Sequence, residues 1–200
     1  AMTAQETPKW HRKSAITRDG TKVAFCYKGD IFTVDVNGGR ALQITTNQAY
    51  DSDPLWTPDG KKIVFSSYRA GSKDIFITSA EGGVPKRLTD YPGNETPLCV
   101  LDGGRILFQA NIQQDAVYGG FPGSPQVWQV DEKAGRPQLV TSMPLMAMSV
   151  NYSGEVIYED YKGYEDPLRK HHHSSVTRDI WLYKPASEQG ERFRVTGDGA

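Results

Sequence analysis

The most chemically distinctive stretch of the chain is a cationic run in which Arg169 and Lys170 precede His171, His172 and His173. Histidine binds metals and changes its charge near neutral pH. Three adjacent histidines on a strand cannot all bind one metal, because successive side chains point to opposite sides. No metal site is therefore predicted. We expect the run to line a peptide or partner site, with a pH-responsive cluster and a solvated or loop-packing role as alternatives.

A second candidate group is aromatic and lies in two stretches rich in glycine and charge. Its members are Tyr118, Phe121, Tyr161 and Tyr164. The glycine spacing of residues 118–123 is similar to that of a phosphate loop, but no helix signal and no Lys-Ser/Thr pair follows it. Exposed aromatic side chains anchor many interfaces. The four aromatic residues are therefore predicted to contact a peptide or partner together with the cationic run.

No catalytic residue and no cofactor are predicted. Serine and histidine occur close together in residues 170–175, but adjacency in sequence does not make a triad, and the chain has no Gly-x-Ser-x-Gly elbow. The acidic pairs at 159–160 and 165–166 have no partner that the sequence identifies. These patterns favour binding over catalysis within this chain.

The elements that carry these residues belong to a repeat, which is clearest in residues 53–89. Asp-Gly and Gly-Gly between short Val/Ile/Phe-rich runs predict antiparallel hairpins, because tight turns need residues that tolerate positive φ. Four copies share four landmarks. The first turns are residues 16–20, 56–60, 99–103 and 150–154. The second strands are 23–25, 63–65, 106–108 and 156–158. The third strands are 30–32, 74–76, 126–128 and 179–181. The closing aliphatic-Thr pairs are 44–45, 88–89, 140–141 and 195–196.

The repeat predicts an all-β fold, a β-propeller of four-stranded antiparallel blades. One meander cannot bury both of its faces, so neighbouring units stack into one array. We expect a flexible segment at residues 1–9 and a propeller array over residues 10–200. The predicted blades are residues 10–46, 47–90, 91–142 and 143–196. Two arrangements are possible, a small four-bladed ring or part of a larger one.

The connection between the second and third strands lengthens along the chain. The second-strand aromatic and the third-strand aliphatic residue are 6, 10, 19 and 22 positions apart in the four units (25 to 31, 65 to 75, 108 to 127 and 158 to 180). In a meander these connections leave the same face as the interblade segments, including residues 47–53 and 91–96. We call it the loop face and the opposite one the turn face. Long loops in compact domains are often functional, so the loop face is the predicted binding face.

Composition excludes several other classes. The formal net charge is −1, so we expect no nucleic-acid partner. No apolar run approaches the 18 residues or so of a membrane span, so we expect no membrane insertion. Cys26 and Cys99 fall in non-adjacent blades, which predicts two small buried side chains and no disulfide.

Aspartates recur at the start of the third strands, at Asp30, Asp74 and Asp179. Aspartate at such a position accepts hydrogen bonds that fix the neighbouring loop, which predicts a structural role. Arginines at 18, 69 and 178 are the expected partners, besides backbone and serine donors.

The landmarks Trp-Thr-Pro-Asp-Gly, Ile-Val-Phe, Asp-Ile-Phe, Gly-Gly and Leu-Thr of the second unit resemble the WD40-like propeller repeat of TolB and of tricorn-type proteases. The resemblance extends from about residue 8 to residue 196. Residues 6–45, and residues 170–183 of the fourth unit, are similar in particular to the N-terminal propeller of bacterial tricorn-like serine peptidases.

The resemblance implies a ring of six or seven blades, of which this chain contains about four. It also implies a non-catalytic propeller that binds or gates peptides in a periplasmic or secreted protein. The nucleophile and its base would lie in downstream protease domains of the same polypeptide. The alternative is a TolB-like periplasmic scaffold without enzymatic activity. A weaker reading is a glycan-binding or lyase-type propeller, which needs a channel lined by carboxylates or histidines.

Overall fold

The computed structural model describes residues 12–112, 126–141, 145–160, 180–184 and 191–195. These residues form sixteen β-strands in four blades. Blade 1 contains β1 (Arg12–Ile16), β2 (Lys22–Tyr27), β3 (Asp30–Asp35) and β4 (Leu42–Gln43). Blade 2 contains β5 (Asp51–Trp56), β6 (Lys62–Ser67), β7 (Asp74–Ser79) and β8 (Lys86–Arg87). Blade 3 contains β9 (Thr96–Val100), β10 (Arg105–Ala110), β11 (Gln126–Asp131) and β12 (Gln138–Thr141). Blade 4 contains β13 (Leu145–Val150), β14 (Val156–Asp160), β15 (Ile180–Lys184) and β16 (Glu191–Arg194).

Each blade is a meander in which consecutive strands pair antiparallel, and successive blades pack against one another through their first strands. The predicted all-β propeller is thus confirmed. In the part of the chain that the structure describes, no helix could cross a membrane. The expected flexible segment at residues 1–9 lies outside the described residues, and the total of six or seven blades stays a prediction.

The Asp-Gly turns follow from local hydrogen bonding. In blade 2 the Thr57 hydroxyl donates to Asp59 Oδ1 at 2.6 Å, and the Lys61 amide donates to the same oxygen at 3.1 Å. Gly60 then has φ +69°, a conformation that costs side-chain-bearing residues energy. Thr17, Asp19 and Gly20 of blade 1 repeat this arrangement. Asp19 and Asp59 therefore have a structural role in these turns.

The apolar core lies in the seams between successive blades. One side of each second strand faces the preceding blade and the other side faces the next blade. In the seam between blades 1 and 2, Ala24 and Ile31 pack against Trp56, Ile63 and Phe65. Equivalent clusters lie in the seams between blades 2 and 3 and between blades 3 and 4.

The two cysteines are buried, free and in different seams, as the sequence predicted. The Cys26 thiol donates to the Asp51 carbonyl oxygen, with 3.0 Å between sulfur and oxygen. Burial raises the pKa of Cys99 to about 11, and the charge of Asp102 adds to that effect. Neither thiol therefore has the exposed, thiolate-stabilising environment of a reactive cysteine.

The first strand of every blade carries a register shift where it pairs with the second strand. In blades 1 and 2 the irregular residues Lys13 and Asp53 have positive φ values of 49° and 55°. A β-bulge redirects a side chain and increases the local twist of the strand. Strand β5 begins at Asp51, so Asp51 and Asp53 are strand residues and not part of the interblade connection that the sequence predicted.

Candidate functional site

The nine residues predicted to bind a partner lie outside the described residues. They occupy two connections, residues 111–125 between β10 and β11 and residues 161–179 between β14 and β15. The structure therefore tests neither the cationic run nor the aromatic group: Arg169, Lys170, His171, His172, His173, Tyr118, Phe121, Tyr161 and Tyr164. What it does describe of the loop face is the part built by blades 1 to 3.

The central feature of that part is Asp53, which joins the first strands of three blades. Its Oδ1 lies 2.9 Å from Lys13 Nζ of blade 1, and its Oδ2 lies 2.8 Å from Lys73 Nζ. Lys73 also donates to the Thr96 hydroxyl of blade 3 at 3.1 Å. The bulges in β1 and β5 place Lys13 and Asp53 at equivalent positions, so this network crosses two seams.

The electrostatics of Asp53 favour the carboxylate. Burial raises its pKa, but hydrogen bonds from Lys73, Lys13 and Ser52 lower it by more, and the resulting pKa is about 2. Only Lys13 is strongly exposed, with 67% of its side chain accessible. The network therefore fixes three first strands and presents one lysine to solvent on the loop face. A lysine so placed can bind a carboxylate or another anionic group.

Asp51 forms a second ion pair on the same face. Its side chain is fully buried, and its Oδ2 lies 2.7 Å from Nη2 of Arg69 in the β6–β7 connection. The Arg69 guanidinium also lies over the rings of Phe65 and Phe76. Because the pair is buried and stacked, it acts as a structural anchor for the connection and not as an exposed binding group.

Glu95 is the equivalent residue in blade 3 and is also fully buried. The Thr89 hydroxyl donates to its Oε2, while its Oε1 has no hydrogen-bond partner. Burial raises the pKa of Glu95 to about 7, and the nearby charge of Asp74 adds to that effect, against a smaller opposing influence of Thr89 and Arg87. Among the carboxyl groups of the described residues, Glu95 alone has a pKa shifted to near neutrality. Its side chain is buried from solvent.

Asp30 and Asp74 are structural, but the prediction that Arg18 and Arg69 are their partners is wrong. Asp30 accepts from Gln43 and Thr45, and Asp74 accepts from Ser72 and lies 2.8 Å from Arg87 Nη2. Arg69 pairs with Asp51 instead, since the bulged β5 brings that carboxylate under its guanidinium.

Arg18 pairs with residues of other blades instead of its own. Its Nη1 donates to Asp102 Oδ1 of blade 3 at 2.9 Å, and the guanidinium lies over the Tyr152 ring of blade 4. Arg178 and Asp179 are outside the described residues. Arg18 thus connects the first turns of three blades on the turn face.

Metal chemistry finds no support in the described part of the chain, where no three His, Cys, Asp or Glu side chains are grouped as ligands. All four histidines, His11 and His171 to His173, lie outside it. The sequence placed residues 47–53 and the connection that contains Lys73 on the loop face, but it did not identify Asp51, Asp53 and Lys73 as members of ion pairs there. The Asp-Ser-Asp sequence before Pro54 was the signal that could have identified the two aspartates. The contacts of Asp53 with lysines of two other elements are long-range, so local sequence does not predict them.

Two curated bacterial proteins resemble parts of the chain. Uncharacterized peptidase YuxL of Bacillus subtilis (strain 168) is 32% identical over 106 residues, which cover 47% of this chain and 16% of that protein. Tricorn protease homolog 1 of Streptomyces coelicolor is 33% identical over 72 residues, which cover 36% of this chain and 7% of that protein. The chain therefore spans less than a fifth of the length of either relative.

Two solved structures share the fold. TolB from Acinetobacter baumannii superposes with a TM-score of 0.68 at 19% identity, over 96% of this chain and 44% of that one. The tricorn protease superposes with a TM-score of 0.66 at 18% identity, over 96% of this chain and 19% of that one. At these identities the similarity shows a common propeller fold and no more.

A family model gives the more specific assignment. The model for the tricorn protease N-terminal beta propeller domain matches residues 9–198, which is almost the whole chain. The four-bladed architecture and the Asp-Gly turn landmarks agree with that match. The chain belongs to the tricorn protease N-terminal β-propeller domain family.

Proposed function

We propose that this chain is a non-catalytic propeller that binds or gates peptides for a tricorn-like serine peptidase in the periplasm or outside the cell. Its binding surface is the loop face. In this proposal the catalytic residues belong to downstream domains of the same polypeptide. The two curated relatives are named as a peptidase and as a tricorn protease homolog, and this chain matches less than a fifth of each.

The observation that carries the proposal is the unequal length of the connections. Between the second and third strands they are residues 28–29, 68–73, 111–125 and 161–179 in blades 1 to 4. Between the third and fourth strands they are residues 36–41, 80–85, 132–137 and 185–190, six in each blade. A repeat that varies on one face and stays constant on the other is typical of a scaffold whose variable face recognises partners.

Charge and residue type support the same face. The exposed Lys13 and the predicted run of Arg169, Lys170 and three histidines are cationic or become cationic at mildly acidic pH. The cationic run can attract acidic side chains of peptides beside the acidic pairs at 159–160 and 165–166, and the four predicted aromatic residues supply apolar contact area. No nucleophile is needed for this role.

The test is peptide binding measured by fluorescence anisotropy with labelled acidic peptides that carry a C-terminal amide. We expect binding by the wild-type chain and a loss of about tenfold when His171, His172 and His173 are replaced by alanine with R169Q and K170Q. Lys133→Ala, in a turn-face connection, is the matched control. Unchanged affinity in the loop variant, or peptide hydrolysis by this chain alone, would overturn the proposal.

A TolB-like scaffold is the competing outcome. It predicts stable binding of a folded protein and no preference for short peptides. Pulling down a folded partner through the loop face, with no peptide binding in the anisotropy assay, would favour that function over the peptidase-linked one.

A further inference from the structure

One buried carboxyl group on the loop face lacks the cation that its equivalent has. Glu95 of blade 3 and Asp51 of blade 2 occupy the same position, and both are fully buried. Asp51 pairs with Arg69 in the β6–β7 connection. When the second strands of the two blades are aligned, Ile112 takes the place of Arg69 in blade 3. Blade 3 thus keeps the buried acid but has an apolar residue where blade 2 has the arginine.

No other cation forms an ion pair with Glu95 in the part of the chain that the structure describes. Asp74, Asp90 and Arg87 are the charged groups that act most strongly on it. Arg87 Nη2 already lies 2.8 Å from Asp74 Oδ2, so it is engaged with another carboxylate. An ionised Glu95 is therefore a buried charge without a partner, which is strongly unfavourable.

Two further cations, Arg69 and Lys73, belong to the β6–β7 connection beside Glu95. Arg69 pairs with Asp51, and Lys73 directs its ammonium group to Asp53. Lys73 offers Glu95 only its backbone carbonyl oxygen. Neither cation therefore compensates a negative charge on Glu95.

Glu95 also closes the segment that runs from blade 2 to blade 3, residues 88–95, which we call the strap. The Thr89 hydroxyl at the start of the strap donates to Glu95 Oε2 at its end, and the same hydroxyl oxygen accepts from the Ile75 amide at 2.9 Å. The Glu95 amide donates to the Lys73 carbonyl oxygen at 2.8 Å. The Glu95 side chain therefore joins the two ends of the strap and fixes them to blade 2.

The middle of the strap holds the start of the next long connection. The Tyr91 phenol donates to the Ile112 carbonyl oxygen at 3.2 Å. The Tyr91 carbonyl oxygen accepts from the Ser72 hydroxyl at 3.1 Å. Ile112 lies in the β10–β11 connection, residues 111–125. Movement of the strap would therefore break the tie to Ile112.

We propose that the strap is a pH-sensitive device in which protonated Glu95 favours a closed form and ionised Glu95 favours an open one. Opening brings the carboxylate into water and separates it from the like charge of Asp74, at the cost of the hydrogen bonds of Thr89 and of the Glu95 amide. Burial, with the charge of Asp74, raises the pKa of Glu95 to about 7, so the change falls near neutral pH. The inference goes beyond the proposed function and does not depend on it, because its test needs no peptide.

Hydrogen exchange at the Glu95 amide, followed by nuclear magnetic resonance, tests the strap, because this amide exchanges when its bond to the Lys73 carbonyl opens. The exchange rate of the wild type is divided by that of Glu95→Gln at the same pH, so the titration of groups present in both chains cancels. We expect this ratio to rise about tenfold from pH 6 to pH 8 and to level off above pH 7, because below pH 7 opening releases a proton from Glu95 in the wild type alone. A ratio that does not change with pH would overturn the proposal.

The seam between blades 1 and 2 supplies an internal control. The Asp51 amide donates to the Gly29 carbonyl oxygen at 2.7 Å, as the Glu95 amide donates to that of Lys73. Asp51 has its arginine, so the same ratio measured at its amide should stay constant from pH 6 to pH 8. An equal rise at Asp51 would indicate opening of the whole domain and would exclude a local strap.

Ile112→Arg restores the arginine that blade 2 has at this position. We expect the new side chain to pair with Glu95, as Arg69 pairs with Asp51, and to keep it ionised in the closed strap. The rise of the ratio, now measured against Ile112→Arg/Glu95→Gln, should shrink to less than about twofold. Ile112→Met, which is uncharged and also unbranched, is the matched control and should keep the rise of about tenfold.

A full rise in a folded Ile112→Arg variant would show that the missing cation is not the cause and would overturn the proposal. If circular dichroism shows that Ile112→Arg does not fold, the comparison of the wild type with Glu95→Gln decides the question.

Discussion

At the scale of single residues, Asp53 shows how a strained backbone position can be maintained by ionic contacts. A β-bulge with positive φ is tolerated by aspartate better than by most residues, yet it still costs energy. Ion pairs to Lys13 and Lys73 offset that cost and also connect the first three blades. The position therefore needs a residue that is both tolerant of positive φ and negatively charged.

The variant Asp53→Asn separates these two needs, because asparagine tolerates the same backbone conformation. We expect it to lower the free energy of unfolding by about 2 kcal/mol, since Lys73 loses its carboxylate partner in a mostly buried site. Urea unfolding at pH 7 is the measurement. Asp35→Asn, at an exposed turn aspartate, should cost much less, and equal losses in both variants would contradict the assigned role.

The same residue predicts a pH dependence. The folded pKa of Asp53 is about 2 and its ordinary value is 3.8, so its stabilising contribution is complete above pH 4 and is lost as the pH falls from about 4 to 2. Wild-type stability should therefore fall more steeply over this range than that of Asp53→Asn. Parallel pH profiles would show that the carboxylate is not stabilised by the fold.

Glu95 predicts the opposite dependence. Its pKa is raised from 4.5 to about 7, so the folded state favours the protonated form, and that advantage is lost as the pH rises from about 4.5 to 7. Glu95→Gln keeps the neutral shape. We expect it to be more stable than wild type by about 2 to 3 kcal/mol at pH 8 and nearly equal at pH 4.5. Glu81→Gln, on an exposed turn, should show no such difference between the two pH values.

At the scale of elements, the seams decide stability because each blade buries its faces only against its neighbours. Trp56→Val places in the first seam the residue that blade 4 has naturally, and it removes the hydrogen bond to Ala15. We expect a loss of about 3 kcal/mol from the resulting cavity. Urea unfolding followed by circular dichroism measures it. Leu42→Ala, at a position 48% exposed, is the control, and a similar loss there would contradict the seam argument.

The same scale explains which features the sequence could predict. Strands and turns depend on residues close together in the chain, such as Thr57, Asp59 and Gly60, so their positions were predictable. The bulge at Asp53 and the choice of Asp51 as the partner of Arg69 depend on contacts between elements. Local pattern cannot specify such contacts, and arginine has several acidic neighbours within reach in a propeller.

The cavity beside Val150, in the seam between blades 3 and 4, could not be predicted from the sequence of one repeat alone. It depends on residues of two blades, and Val150 occupies the position that Trp56 fills in blade 2. The predicted binding residues raise a different difficulty. They lie in the stretches that depart from the repeat, where neither strand periodicity nor turn chemistry constrains the chain.

At the scale of the whole molecule, the four blades share equivalent positions but not equivalent burial. Ile16 of blade 1 is 52% exposed, whereas Trp56 at the same position of blade 2 is 3% exposed. Ile157 of blade 4 is 42% exposed, whereas its equivalent Val64 is fully buried. The side of blade 1 that would face a preceding blade and the side of blade 4 that would face a following one thus leave apolar residues accessible.

The exposed side of blade 1 is equivalent to the side that the other blades bury against the blade before them. The exposed side of blade 4 is equivalent to the side that the other blades bury against the blade after them. The two exposed sides are therefore complementary. Two copies of the chain can therefore stack head to tail, a contact that does not close on itself and can extend. We expect the isolated chain to sediment with increasing mass as its concentration rises. The double variant Ile16→Lys/Ile157→Lys should remain monomeric with a stability change of only about 0.5 kcal/mol per site, as for exposed positions. Val84→Lys, at a turn residue that is 96% exposed, should associate like wild type. Association that persists in the double variant would place the contact elsewhere on the molecule.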